Sequence, residues 1–215
     1  MWIILSKGGV MVWFILLGSL IGMAVFAERF IHYHRAQISL ADFLKGIRNC
    51  IRRNNHVEAI AICEDAPGPV AQLARSAILR YDRSRLEIHE AIESTAIQEE
   101  RRLEKNLSIL WTVAQVSPLL GLMGTVIGMM HAFQAIQQKE KLITATDLAG
   151  GVWEALIATA FGLAVAIPAY VAYHYLLTRK NEMIRDMELC ATELMNIFAE
   201  LERERRKDEF DLSER

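Results

Sequence analysis

The chain has 215 residues, 53% of them hydrophobic and 23% charged, with a formal net charge of −2 and a mean hydropathy of +0.19. That balance excludes a chain that is water-soluble throughout and one that is embedded in lipid throughout. The near-neutral charge, with no basic run interleaved with aromatics, points away from a nucleic-acid partner. Cys50, Cys63 and Cys190 are odd in number, lack a CxxC pair and have no helically spaced His partner, which argues against a disulfide framework or a metal site.

The charges are segregated along the chain, and three tracts are free of them or nearly so: Gly8 to Ala27, Asn106 to Gln138 and Val152 to Thr178. Each exceeds the roughly 18–20 residues that a spanning helix needs. The expected organisation is a transmembrane helix over 8–31, a cytoplasmic helical segment over 32–105 and a second span over 106–138. A periplasmic link follows over 139–151, then a third span over 152–178 and a cytoplasmic helical tail over 179–215.

The first tract is longer than the apolar core of a secretory signal, and only Lys7 precedes it, so it reads as an uncleaved anchor. Arg29, Arg35, Lys45, Arg48, Arg52 and Arg53 follow it, with His32 and His34 among them. A basic flank resists translocation and places that side in the cytoplasm. The N-terminus is then periplasmic and the C-terminus cytoplasmic, in agreement with Arg179, Lys180 and Arg185 after the third span. Lys139 and Lys141 in the outer link oppose the bias without reversing it. All three cysteines fall on the cytoplasmic side as inert thiols.

In the segment 32–105, Ala41, Leu44, Ile47 and Ile51 recur at helical spacing, as do Val57, Ile60 and Ala61. Pro67-Gly68-Pro69 breaks the helix. From Val70 the period resumes through Leu73, Ala77, Ile78, Leu86, Ile88, Ile92 and Ile97. Between Ile88 and Gln137 only Pro118 and a few glycines interrupt it, so the second span is expected to be continuous with the helix before it. Glu99, Glu100, Arg101, Arg102, Glu104 and Lys105 read as a solvated helix face with i,i+4 pairs.

In the second span Ser117, Gly121, Thr125 and Gly128 share one face, and Gly124 borders it. A stripe of small residues lets helix backbones approach closely in lipid. The Thr125 hydroxyl either bonds the carbonyl four residues back or faces a narrow polar path. In the third span Glu154, Ala158, Gly162 and Ala166 form one row. Pro168 cannot donate to the carbonyl of Ala164, which is left for water, a partner or an ion. Thr159 lies off the Glu154 row by roughly 140° at 100° per residue.

Glu154 is the one charged residue between Val152 and Thr178. An acid within a span ordinarily faces a partner helix, a cavity or an ion path. The bland alternative is a rim carboxylate: a helix starting near Thr146-Asp147 puts Glu154 only about 10 Å along it, favoured by the helix's positive end. His131, His174, Tyr170, Tyr173 and Tyr175 read as interfacial anchors. The tail continues as a helix through Met183, Met187, Leu189, Leu194, Ile197, Phe198 and Leu201, and the charged run LERERRKDEFDLSER is expected to fray. With no strand signal, the fold class is an all-α membrane protein with three transmembrane helices, two of them extended into a helical cytoplasmic region.

SPLLGLMGTVIGMMHAF, followed after a short polar link by WEALIATAFGLAVAIPAY, resembles the core of the MotA/TolQ/ExbB proton-channel family. The three-span layout resembles the TolQ and ExbB branches more than the four-span flagellar branch. The match covers about residues 115–175, and Phe161 stands where close relatives tend to carry a smaller aliphatic residue. The resemblance implies a bacterial inner-membrane subunit of a proton-gradient-driven motor or channel that powers envelope work, such as outer-membrane import or envelope maintenance. It implies a homopentamer around single-span ExbD/TolR-like partners, coupled to a TonB/TolA-like protein, with no cofactor and no bound metal. The carboxylate that carries the proton in midmembrane would be the partner's Asp, since no Asp lies inside a span here. By position, Thr125, Glu154 and Thr159 correspond to the family's ion-path residues. Gly121, Gly124, Gly128, Ala158, Gly162 and Ala166, with Pro118 and Pro168, would pack helices and line the pore, and the small faces are expected to build the centre of the oligomer. A membrane scaffold without an ion path and a flagellar-type stator subunit are the competing readings. An intramembrane enzyme is disfavoured, because the spans contain no Ser/His, Asp-pair or HExxH constellation.

Overall fold

The computed structural model describes residues 9–138 and 145–213, and every regular element among them is an α-helix. In chain order these are α1 (Gly9–Ala36), α2 (Leu40–Arg52), α3 (His56–Asp65), α4 (Pro69–Ile78), α5 (Arg85–Glu104), α6 (Leu107–Gln138) and α7 (Ala145–Ser213). Local chemistry sets the helix starts. The Asn55 side chain accepts from the Glu58 amide at 3.3 Å and donates to the Glu58 carboxylate at 2.7 Å. Ser84 and Glu87 make the same reciprocal exchange at 3.3 and 2.8 Å. Each cap's side-chain oxygen satisfies one amide that has no partner inside the helix, and the glutamate holds the cap by its side chain.

Two expectations about helix continuity are corrected. The period from Val70 to Ile97 is divided by a turn over 79–84, where the Ser84 cap starts α5 afresh. The helix expected to run unbroken into the second span stops at Glu104, and α6 begins at Leu107. Asn106 sits at φ +65, a left-handed conformation that Asn tolerates better than most residues, and its amide donates to Glu28 at 3.2 Å. Of the expected link 139–151, residues 139–144 lie outside the described residues and the remainder belongs to α7. In the charged tail, expected to fray, the helical assignment of α7 extends to Ser213.

The chain divides into two compact units. One is formed by residues up to Phe30 together with Asn106–Leu177, the other by Ile31–Lys105 with the chain from Thr178 onward. Three helical stretches, Gly9–Ala36, Arg85–Gln134 and Ala149–Glu204, are long and apolar enough to cross a membrane. In the first unit, Trp13, Phe14, Leu17, Leu122, Val126, Trp153 and Leu163 are exposed. Large apolar side chains at such density on the outside suit a surface that faces lipid or other protein rather than water.

The second unit has a conventional water-soluble core. Phe43, Ile47, Ile51, Leu73, Ala77 and Ile88 from α2, α4 and α5 pack with Cys190, Leu194 and Ile197 of α7. Gly68 precedes α4 at φ +98, and a Cβ there would collide with the Ala36 carbonyl oxygen, so glycine is required on both counts. Arg48–Glu193 at 3.2 Å and Arg52–Glu200 at 2.9 Å tie α2 to α7, and Tyr33 donates to the Leu103 carbonyl at 2.6 Å. Lys180, 8% exposed, lies between Glu104 and Glu100. Burial pulls the Lys180 pKa down, but the hydrogen bond and charge of Glu104, aided by Glu100, hold it above the ordinary lysine value. Burial pushes the Cys63 and Cys190 thiols up to about 12, so neither is a nucleophile at neutral pH.

Candidate functional site

The first unit is organised by a seam in which α6 and α7 run backbone against backbone. A Cβ added to Gly121 would lie 3.1 Å from the Ala158 carbonyl oxygen and 3.3 Å from the Gly162 Cα. On Gly162 it would lie 2.7 Å from the Ser117 carbonyl oxygen, and on Gly128 it would lie 2.8 Å from the Ala155 amide. At Gly124 it would overlap the Ala158 methyl, and at Gly151 it would stand 2.6 Å from the Ala132 methyl. Each step of four along α6 is therefore matched by a step of about four back along α7, the register of two antiparallel helices. In lipid no hydrophobic effect drives helix pairing, so dispersion at close approach must do it, and glycine is what permits that approach.

The small faces read from the sequence thus meet each other within one chain. Gly121, Gly124, Gly128, Ala158 and Gly162 are covered by one another inside a single chain. Ala166 continues the row and is buried. Pro118 is half-buried and Pro168 exposed.

The polar residues separate into two groups. Thr159 Oγ1 lies 3.4 Å from both the Gly121 and the Ala155 carbonyl oxygens, so its hydroxyl reaches across the seam. Thr125 donates to the Leu122 carbonyl, three residues back, at 2.5 Å. Its hydroxyl bonds its own helix, one residue nearer than the sequence suggested. Ser117, buried, likewise donates to Val113 at 2.7 Å.

Glu154 stands where three helices meet. Because α7 begins at Ala145, it is about 14 Å along the helix at 1.5 Å per residue. Its side chain is 23% exposed, and Oε2 lies 3.4 Å from Nδ1 of His131 on α6. On the other side, Oε1 occupies the space that a Cβ on Gly9 of α1 would need, and Gly9 itself is at φ +67. Just inward, Val12 of α1 packs with Ile157 and Ala158, flanked by Leu16 and Phe161. Phe161 thus fills space between α1 and α7.

His131 is what reading along the chain missed. Its ring meets a carboxylate, whereas Tyr170, Tyr173 and His174 cluster with Trp111, the ring centroids of His174 and Tyr170 lying 4.4 Å apart and those of Trp111 and Tyr173 5.0 Å apart. In the antiparallel register, with Gly128 beside Ala155 and Ala132 beside Gly151, His131 and Glu154 are offset by about 3 Å along the axes, which the long glutamate side chain spans.

The sequence profile of the MotA/TolQ/ExbB proton channel family matches residues 66–189, and the chain belongs to that family, on its TolQ/ExbB-like side. It is 30% identical over 185 residues to a biopolymer transport protein ExbB homolog of Methanothermobacter thermautotrophicus, covering 85% of this chain and 65% of that protein. It is 51% identical over 84 residues to the Tol-Pal system protein TolQ of Haemophilus influenzae, 39% of this chain and 36% of that one. With the biopolymer transport protein ExbB of Neisseria meningitidis serogroup A the identity is 30% over 193 residues, 83% of this chain and 86% of that one.

Proposed function

We propose that this protein is the multi-span subunit of an inner-membrane complex that converts a proton gradient into work on the cell envelope, with Glu154, Thr125 and Thr159 shaping the proton's route. The observation that carries the reading is Glu154 itself. It is the one charged residue in the apolar run 152–178, it lies inside α7, and contacts from α1 and α6 leave it only 23% exposed. An acid at such a place costs stability, and acids found within spans ordinarily serve a function. Membership of a proton channel family supplies that purpose, and the names of the relatives point to envelope processes.

In this reading several copies of the chain, five by resemblance, surround single-span partners of the ExbD/TolR kind. The partner's membrane Asp loads and unloads the proton, and a TonB/TolA-like protein passes the work on. Glu154 and the threonine hydroxyls supply fixed polar contacts beside that Asp, in walls that are otherwise apolar, and no bond-making catalysis is assigned to them. The N-terminal end of α1 faces the periplasm and the second unit the cytoplasm.

Glu154→Gln keeps volume and hydrogen bonding but removes charge and titration. In a complemented deletion strain, gradient-driven work is expected to fall at least tenfold while the complex with the partner still forms. Full activity would support the scaffold reading, in which Glu154 is a rim carboxylate.

A further inference from the structure

Three elements converge on the Glu154 carboxylate, and each oxygen has its own neighbour. Oε2 has the His131 ring nitrogen at 3.4 Å, and Oε1 sits in the space left by the missing side chain of Gly9. A glutamate has three rotatable bonds, and a contact on one oxygen together with a space that admits the other narrows the arrangements open to it. We infer that His131 and Gly9 are positioning residues that hold the Glu154 carboxylate in one orientation between α1, α6 and α7, His131 through Nδ1–H and Gly9 by leaving room. This inference rests on the proposed ion-path role of Glu154 and extends it to two residues on other helices.

The division of labour follows from chemistry. His131 is 55% exposed, more than a packing role needs, yet its Nδ1 is turned to the acid. With the proton on Nδ1 it donates to the Glu154 carboxyl oxygen at 3.4 Å. Gly9 contributes no side chain, and a methyl group at this position would displace Oε1 outright. A carboxylate that must meet a moving partner in a defined geometry loses function steeply when it is misplaced by an ångström or so.

The test uses the full chain with its partner in the complemented strain. Asn places an amide N–H near the position of Nδ1, whereas Phe keeps a ring and removes the donor. His131→Phe is expected to lower gradient-driven work about threefold or more, as for the loss of an ordinary hydrogen bond, with the complex intact, and His131→Asn to restore most of it. In the Glu154→Gln background His131→Phe should add nothing further, because its effect runs through the carboxylate. Gly9→Ala should lower work in the wild-type background and be milder beside Glu154→Asp, whose shorter side chain retreats. Equal losses in His131→Phe and His131→Asn, or additive losses with Glu154→Gln, would overturn the inference. If Glu154→Gln is inactive and His131→Phe fully active, this inference fails while the ion-path reading stands. If Glu154→Gln is fully active, the ion-path reading itself fails.

Discussion

The two units of this chain solve the packing problem with opposite residues. The unit containing α6 is held by absence: glycines and alanines bring backbones together, and its large side chains point outward. The unit containing α2 to α5 is held by bulk, with isoleucines, leucines and phenylalanines inside and ion pairs around the edge. The surroundings explain the contrast. In water, burying apolar area stabilises by roughly 25 cal/mol per Å², so large residues belong inside. Lipid gives no such reward, so the gain comes from close approach, and large residues are as comfortable outside as in.

The sharpest way to break the comparison is to insert bulk into the seam. Gly162→Leu and Gly124→Leu force side chains into space already held by the Ser117 carbonyl and the Ala158 methyl. We expect losses of about 3 kcal/mol or more, seen as protease sensitivity of the detergent-solubilised chain. Because the seam is within one chain, loss of oligomer mass should follow this failure rather than precede it. A seam variant that keeps protease resistance while losing only the oligomer would return these faces to contacts between copies.

A second test addresses the ionic edge of the other unit. Lys180→Met removes the ammonium shared by Glu104 and Glu100, both about half exposed. A loss of about 1–2 kcal/mol is expected, discounted for solvent screening. Because the folded-state pKa of Lys180 is raised, its contribution is fully present below the unfolded lysine value near about 10.4 and is lost as pH rises through the folded value. Thermal melts of wild type and variant should therefore differ constantly at neutral pH and converge in strong alkali. A difference that is unchanged there would assign Lys180 a packing role alone.

The smallest effect has the opposite sign. A Cβ on Gly46 of α2 meets nothing nearer than the Ile62 Cδ1 at 3.9 Å, so Gly46→Ala has room and a helical backbone. It should stabilise by about 0.4–1 kcal/mol through the unfolded chain, measured by chemical denaturation. The same glycine-to-alanine change at Gly128 should destabilise. Equal signs at the two positions would erase the distinction between a glycine that fits a seam and one that merely occupies a helix.

Much was legible along the chain. The uncharged tracts fix three helices, since only a helix satisfies its own backbone across lipid, and the lone Glu154 and the small-residue stripes stand out by composition. What reading along the chain missed had local or tertiary causes. The break at Lys105–Asn106 turns on one residue in a left-handed conformation, and the start of α5 on the Ser84–Glu87 exchange. The partnership of the stripes with each other, and of Glu154 with His131 and Gly9, is a matter of register between helices far apart in sequence. Periodicity tells which residues share a face. Which face meets which is set by the fit of whole helices, and only the tertiary structure decides that.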